Sequence, residues 1–128
     1  MKLLLDTHII LWAAGRPEQL PEAAFRAIED RQNELMFSPI SIWEVSIKRG
    51  LGRADFSVDP RLLRRGLLDS RYEELVVTSE HAAAVDGLPP LHNDPFDRML
   101  LAQSIVEGIT LLSADKMLAK YPAPVWTV

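Results

Sequence analysis

The sequence of 128 residues contains no cysteine. That absence excludes a disulfide-stabilised scaffold and a zinc site built from thiolates. No apolar run approaches the roughly 18 residues that a membrane-spanning helix needs. The opening segment MKLLLD meets an aspartate too early to be a secretory signal. We therefore expect a cytoplasmic protein.

An excess of basic charge is also missing, since the formal net charge is −4. This value argues against a broadly basic nucleic-acid-binding surface. It does not exclude a nuclease, because carboxylates that hold cations present a positive surface once the metal is bound. The remaining composition, 48% hydrophobic and 25% charged, is that of an ordinary globular protein. With no linker or repeat, the sequence predicts a single domain over residues 1–128.

Short apolar segments alternate with amphipathic ones along the whole chain. The pattern predicts strands at residues 2–5, 34–38, 75–78, 109–113 and 125–128. It predicts helices at residues 7–14, 21–32, 40–49, 60–72, 79–87, 95–108 and 114–120. Strands that alternate with helices are typical of an α/β domain with a mainly parallel sheet.

Two aspartates follow predicted core strands. Asp6 ends the first strand, and Asp115 comes two residues after the fourth. In open α/β sheets ligands bind beyond the carboxyl ends of the strands, so the two carboxylates should face one rim. Each could instead cap the following helix. The neighbouring Thr7 and Ser113 suit either a contact to a carboxylate or metal-bound water, or a helix start.

Glu44 lies on a predicted helix with one apolar stripe. The stripe consists of Ile40, Trp43, Ile47 and Leu51. On a wheel of 3.6 residues per turn Glu44 falls at the edge of this stripe, so it should be partly buried. The alternative is an i,i+4 ion pair with Lys48, worth about 0.2–0.5 kcal/mol. Because such pairs normally face solvent, the position favours a functional role.

The segment Asp94-Pro95-Phe96-Asp97 opens the longest apolar helix. Helix capping is the preferred explanation of Asp94, and it would place Asp97 at the third helical position in an arrangement like a capping box. Asp97 differs from Asp94 because apolar residues surround most of its helix, which predicts burial. Its carboxylate should point toward the rim where Asp6 ends its strand.

The four singled-out acids are Asp6, Glu44, Asp97 and Asp115. If they met within about 4–5 Å, each close pair would repel by roughly 3–4 kcal/mol at an effective dielectric near 20. Six such pairs would oppose folding by on the order of 20 kcal/mol, more than the roughly 5–15 kcal/mol of a typical domain. A hard divalent cation such as Mg²⁺ or Mn²⁺ removes this conflict and supports phosphodiester displacement.

The remaining candidates carry weaker signals. The three histidines have no metal-ligand spacing and are expected to be polar or capping residues: His8, His81 and His92. The three tryptophans are predicted to be core or interface residues rather than platforms for base stacking: Trp12, Trp43 and Trp126.

Four segments carry a resemblance that spans residues 3–116. In order they are LLLDTHIILW, SPISIWEVSIK, HNDPFDRMLLAQ and LLSADK. Together they resemble PIN-domain ribonucleases, specifically the VapC-like toxins of type II toxin-antitoxin pairs. The resemblance implies a PIN-like α/β/α sandwich with a mainly parallel four- or five-stranded sheet. It also implies a Mg²⁺- or Mn²⁺-dependent endoribonuclease.

Mapped onto this chain, the acidic residues of that family fall on the four acids named above. The resemblance adds Asp94 as an auxiliary acid and Thr7 in a supporting role. It implies that Asp6, Asp97 and Asp115 bind the principal cation. Glu44 would help bind it or a second one, and metal-bound water would attack the RNA.

The resemblance further implies the partners of the protein. Members of the family usually form homodimers, cut structured RNA such as tRNA or ribosomal RNA, and are silenced by a small cognate antitoxin. That antitoxin occupies the active-site groove and joins the complex to promoter DNA. Many relatives have asparagine where this chain has His8, so a role for His8 near the metal does not follow from the resemblance.

Two alternatives remain open from the residues themselves. A phosphatase with Asp6 as covalent nucleophile, as in haloacid-dehalogenase-like enzymes, would carry a second aspartate two residues later, where His8 stands. A catalytically silent binding module would use the same acids to dock a basic segment of a partner. Divalent-ion binding separates that module from the ribonuclease.

Overall fold

The computed structural model describes residues 1–128 and contains one five-stranded sheet in which every neighbouring pair is parallel. The strands are β1 (Lys2–Leu5), β2 (Glu34–Phe37), β3 (Glu73–Glu74), β4 (Thr110–Ser113) and β5 (Val125–Thr127). Their order across the sheet is β3-β2-β1-β4-β5, with β1 in the centre. The predicted α/β class with a parallel sheet is confirmed.

Six α-helices connect the strands. They are α1 (Thr7–Gly15), α2 (Glu22–Glu29), α3 (Pro39–Gly50), α4 (Pro60–Asp69), α5 (Ser79–Ala84) and α6 (Pro95–Glu107). Four short 3-10 turns complete the chain at Pro17–Gln19, Ala54–Phe56, Val85–Gly87 and Leu118–Lys120. None of the helices combines the length and apolar content needed to cross a membrane.

Three helices begin with a polar cap followed by proline. Ser38 caps α3, Asp59 caps α4 and Asp94 caps α6, each through a side-chain oxygen that accepts a backbone N–H of the first turn. Proline suits the first helical position because its missing N–H would have no partner there. These caps determine the first residues of α3 and α6, the helices that carry Glu44 and Asp97.

The core lies on both faces of the sheet. Leu3 and Leu5 belong to a buried cluster with α1, α2 and α4, whereas Leu4 belongs to a second cluster with α6. Successive residues of a strand point to opposite faces, which explains the division. Coverage on both faces also explains why β1 is apolar at every position after Lys2. With both faces covered, polar ligands have access only at the edges and ends of the strands.

Several predicted elements differ from the structure, including the predicted helices at 60–72 and 79–87, whose α-helical parts end at Asp69 and Ala84. The predicted strand at 75–78 is wrong, because the strand is Glu73–Glu74 and the chain then leaves the sheet to reach Thr78, which caps α5. The predicted helix at 114–120 is wrong, because only Leu118–Lys120 form a 3-10 turn. The predicted helix at 21–32 ends at Glu29, after which the Asp30 carboxylate accepts the N–H of Gln32 in a turn.

The predicted buried stripe of α3 is also wrong. Trp43 is 56% exposed and Leu51 is 74% exposed. The buried face of α3 consists instead of Ile40, Ser41, Glu44 and Val45. Ser41 packs toward α1, where its hydroxyl oxygen accepts from the Thr7 hydroxyl at 2.9 Å. Glu44 therefore lies within the buried face of its helix rather than at the edge of it.

Candidate functional site

Asp6 is held by the neighbouring strand rather than by its own helix. It directly follows β1, is 4% exposed, and makes no side-chain capping bond to α1. Its Oδ2 accepts a hydrogen bond from the Ser113 hydroxyl at 2.6 Å, at the end of β4. The capping explanation of Asp6 is therefore wrong, and the carboxylate is fixed at the carboxyl ends of two central strands.

Asp115 lies at the same edge of the sheet. The oxygen that donates to Asp6 also accepts the backbone N–H of Asp115 at 3.0 Å, so one serine, Ser113, connects the two acids. One oxygen of Asp115 accepts the N–H of Met117 at 2.9 Å in a local turn. Asp6 and Asp115 line one small open pocket of about 200 Å³ together with His8 and Trp12.

Glu44 is a buried acid with one unsatisfied oxygen. It is 3% exposed, its Oε2 accepts from the Lys48 ammonium, and its Oε1 has no hydrogen-bond partner. The Lys48 ammonium also lies 3.9 Å from Asp94 Oδ2. The i,i+4 pair considered from the sequence is therefore present but lies in a mostly buried position. A buried carboxylate oxygen without a partner is unfavourable by about 1–3 kcal/mol, which favours an additional ligand there.

Asp94 and Asp97 have different partners. Asp94 Oδ1 accepts the N–H groups of Phe96 and Asp97 at 2.8 and 3.2 Å, so the predicted cap is confirmed. Asp97 makes no reciprocal capping bond, and its Oδ2 instead lies 2.9 Å from His92 Nε2. One ligand atom from each of His92, Asp94 and Asp97 lies within 4.8 Å of the other two. The sequence did not predict His92 as a partner of these acids, because its loop position has no helical spacing to them.

The four predicted acids do not form one tight cluster. The group whose ligand atoms all lie within 4.8 Å of one another is His92, Asp94 and Asp97. Asp6 and Glu44 lie within electrostatic range of Asp97, since their charges affect its titration. Asp115 lines a small pocket together with Asp6. The structure therefore brings the acids to one edge of the sheet, in two subgroups linked by Asp6.

Burial and like charge act on the acids of this edge. Burial raises the pKa of Asp6, the hydrogen bond from Ser113 opposes this shift, and the charge of Glu44 adds to it. Burial raises the pKa of Asp97 to about 7, with further contributions from the charges of Asp6 and Asp94. A raised pKa means that the surrounding protein does not stabilise the ionised carboxylate as well as water does. Shifts of this kind are typical of functional sites.

The donor set fits a divalent cation. It offers carboxylate oxygens with one imidazole, which suits hard ions such as Mg²⁺ and Mn²⁺ better than soft ones. Oε1 of Glu44 is buried without a partner, and Asp97 is difficult to ionise in the surroundings that the protein provides. Lys48 is the cationic side chain in contact with Glu44, and its single charge faces two acids, Glu44 and Asp94. These observations indicate that the surrounding protein supplies too little positive charge to balance the acids.

Arg98 positions the loop that carries His92, a role that the sequence analysis missed. Its guanidinium donates to four backbone carbonyls and to one phenol oxygen. The acceptors are the carbonyls of Val85, Leu88, Pro89 and His92 and the hydroxyl of Tyr121. Arg98 is the single basic residue of α6, and this was the available signal, because a charged group on a mostly buried helix needs polar partners.

The other two histidines lie apart from this loop. His81 completes a capping box with Thr78 at the start of α5 and contacts Glu107 at 2.7 Å, which confirms the expected capping role. His8 lies 3.7 Å from Asp55, and both side chains are partly exposed.

Of the tryptophans, Trp12 packs partly against the core, as does Trp126.

Comparison with known proteins identifies the fold and its relatives. The PIN domain family model matches residues 3–124. Ribonuclease VapC22 of Mycobacterium tuberculosis is 31% identical over 126 residues, which covers 96% of this chain and 95% of that protein. The VapBC2 complex of Rickettsia felis bound to a promoter DNA fragment matches with a TM-score of 0.74 at 16% identity, covering 100% and 99% of the two chains. DNA-bound VapBC of Salmonella typhimurium matches with a TM-score of 0.65 at 18% identity, covering 99% and 98%. At these identities the two structures show likeness of fold.

Proposed function

This chain belongs to the PIN-domain family, and from that membership we propose that it is an endoribonuclease, the toxin of a toxin-antitoxin pair, supported by a divalent cation. The relative with 31% identity is a ribonuclease, and it covers nearly the full length of both chains. The observation that carries the proposal is the set of poorly compensated acids at the carboxyl ends of β1 and β4. Asp97, with a pKa raised to about 7, is the clearest sign of that lack of compensation.

In this proposal the principal cation is held by Asp6, Asp97 and Asp115. Glu44 would hold the same ion or a second one. His92 and Asp94 lie close enough to Asp97 to assist as auxiliary ligands. When bound, a divalent cation lowers the pKa of a coordinated water and neutralises charge that develops on the phosphodiester. RNA hydrolysis is the reaction that this chemistry and the relative support together.

The side chains around the acids keep them in place. The Ser113 hydroxyl donates to Asp6 and leaves its other oxygen available to a ligand. His92 orients Asp97 through a contact of 2.9 Å, and Arg98 in turn holds the His92 carbonyl. The Thr7 hydroxyl donates to Ser41 and so connects the start of α1, next to Asp6, to α3. The supporting role proposed for Thr7 thus acts through the α1–α3 contact.

The direct test is cleavage of RNA in Mg²⁺ or Mn²⁺ compared with EDTA. We expect cleavage in the presence of either ion and none after chelation. The silent binding module predicts the opposite pattern: no heat of divalent-ion binding in calorimetry and tight binding of a basic peptide. The RNA ends produced on brief expression would then identify the substrate, which we propose to be a structured RNA such as tRNA or ribosomal RNA.

The pKa of Asp97 predicts how metal binding and stability depend on pH. Metal binding requires the ionised carboxylate, so the apparent affinity for Mn²⁺ should fall about tenfold per pH unit below about pH 7. Without metal, the folded protein retains a proton on Asp97 between the ordinary value of 3.8 and about 7, so its stability should fall as pH rises through that window. Calorimetric titration and thermal unfolding at several pH values measure the two effects.

Asp97→Asn is the matched control for this prediction. Asparagine has nearly the same shape but no proton to exchange, so the stability decline without metal should become shallower. An unchanged decline in this variant would assign the pH dependence to another group.

We also propose a small antitoxin as the protein partner. The two structural neighbours are VapBC assemblies bound to DNA, which supports a partner of that kind for this chain. The acids at the carboxyl edge would receive a basic segment of the antitoxin and so become blocked to RNA. Co-expression with a short reading frame adjacent in the genome should give a stable complex without RNA cleavage.

A homodimer is the third proposal on partners, and α3 offers a surface for it. Trp43, Ile47 and Leu51 form an exposed apolar stripe on this helix, and contiguous apolar patches mark interaction sites. We expect Ile47→Glu to shift the protein from dimer to monomer in light scattering, because a charge at the centre of the stripe would be desolvated. Metal-dependent stabilisation should persist in the monomer. A dimer of unchanged strength would place the interface elsewhere.

A further inference from the structure

A larger pocket adjoins the acidic edge of the sheet. It has a volume of about 370 Å³ and a mostly polar lining that includes His8, Trp12, Arg16, Asp55 and Ser57. His8 and Trp12 also line the pocket of about 200 Å³ that contains Asp6 and Asp115. The two pockets therefore meet along these side chains. A ligand bound in the larger pocket, here called the α1 pocket, would extend directly toward the acids.

The α1 pocket is built from one side of a helix and one short turn. His8, Trp12 and Arg16 are spaced by four residues, which places them on the same side of α1 and its end. The imidazole of His8 lies 5.7 Å from the Trp12 ring and 5.4 Å from the Phe56 ring, measured between centroids. Arg16 donates to the carbonyl of Ala54 at 3.5 Å. These contacts bring the aromatic and cationic groups of the pocket close together.

The chemistry of this lining matches a nucleotide. Trp12 offers an aromatic surface for a base, Arg16 a cation for a phosphate, and Asp55 an acceptor for amino or hydroxyl groups. The volume falls within the about 300–1,000 Å³ of typical small-molecule sites. A basic peptide is the competing occupant, but Arg16 together with Arg53, which lies 3.5 Å from Asp55, disfavours it. The mixture of aromatic, cationic and acceptor groups therefore favours RNA over a basic peptide.

We propose that the α1 pocket binds one nucleotide of single-stranded RNA beside the cleaved phosphodiester, with its base stacked on Trp12 and a phosphate at Arg16. This inference rests on the proposed ribonuclease function and extends it to a substrate-binding subsite. It also revises the expectation that Trp12 is only a core or interface residue. Trp12 is half-buried, so it packs against the core and lines the pocket at the same time.

The first test separates substrate binding from the chemical step. Trp12→Leu keeps apolar bulk against the core but removes the aromatic surface, and Trp12→Phe restores an aromatic ring. With a short fluorescein-labelled single-stranded RNA and Mn²⁺, the leucine variant should raise KM by about 5- to 100-fold with a smaller change in kcat. The phenylalanine variant should recover most of the loss. Phe25→Leu, at an exposed aromatic residue of α2, is the matched control and should cleave like the parent protein.

The second test measures binding without relying on cleavage. A protein with Trp43→Phe and Trp126→Phe retains Trp12 as its single tryptophan. Its fluorescence should be quenched by the short RNA and much less by the same RNA with abasic sites. Arg16→Ala should lower the slope of log affinity against log salt by about one, because one phosphate contact is lost. Arg31→Ala, at the opposite end of the sheet before β2, should leave that slope unchanged.

These experiments distinguish failure of the nucleotide subsite from failure of the proposed ribonuclease function. A parent protein that cleaves RNA, combined with an unchanged KM in Trp12→Leu and no quenching of Trp12, would overturn the subsite alone. A Trp12→Leu variant that cleaves normally but escapes inhibition by the antitoxin would assign the pocket to the protein partner and also overturn it. If the parent cleaves no RNA, the proposed function fails, and the quenching experiment still decides whether the pocket binds RNA.

Discussion

Asp6→Asn is expected to lower metal-dependent RNA cleavage by more than about 100-fold, because even the outer partners of metal ligands typically contribute about 10–100-fold. Asp6 is the acid that both subgroups of the site share, since it lines a pocket with Asp115 and acts electrostatically on Asp97. Asparagine retains one oxygen that can accept from the Ser113 hydroxyl. The loss should therefore come from the missing charge rather than from a disturbed strand end.

Stability measurements distinguish this explanation from simple unfolding. Burial raises the pKa of Asp6, so removing its charge should leave the thermal midpoint of the metal-free protein unchanged or higher near neutral pH. Added Mn²⁺ should raise that midpoint less in the variant than in the parent. Glu22→Gln, an exposed acid on α2, is the matched control and should retain full cleavage. Undiminished cleavage by Asp6→Asn would contradict the proposed mechanism.

Arg98→Ala is expected to produce the largest loss of stability, about 2–4 kcal/mol, because several hydrogen bonds to a charged donor disappear together. For a domain of this size the thermal midpoint should fall by about 6–15 °C. The reason is local: the carbonyls of Val85, Leu88, Pro89 and His92 lose their common donor. The loop before α6 would then detach from the helix.

The same substitution should affect metal binding through His92. If the loop moves, His92 no longer orients Asp97, and affinity for Mn²⁺ should fall by about 10–100-fold. Arg64→Ala is the matched control, because Arg64 is exposed and its nearest acidic oxygen, on Glu74, lies 3.9 Å away. That control should change the unfolding free energy by less than about 0.5 kcal/mol. An Arg98→Ala protein as stable as this control would show that solvent replaces the lost donor.

The sequence predicted the parallel sheet and the acids at its edge because both depend on local patterns. Short apolar runs identify β1 and β4, and Asp6 and Asp115 follow those runs directly. Capping chemistry likewise identified the start of α6 at Asp94. Such features depend on a few neighbouring residues, so they can be predicted without knowledge of the tertiary structure.

The predictions failed where contacts between residues far apart in the sequence determine the structure. The apolar residues of α3 suggested a buried stripe, but the helix turns a more polar face with Glu44 inward, toward α1 and α6. His92 and Arg98 were missed for a related reason. Their contacts join a loop without periodicity to α6 and to Tyr121, and sequence spacing carries no signal for such contacts.

The hydrogen bond from Ser113 to Asp6 joins residues 107 positions apart. During translation at about 5–20 residues per second, Asp6 is made roughly 5–20 s before its partner. β4 also has to pair with β1 before Asp115 reaches the edge of the sheet. A growing chain that has not yet reached Ser113 therefore lacks the assembled site. A ribosome that makes an RNA-cutting protein of this topology must therefore pass residue 113 before the product can damage RNA.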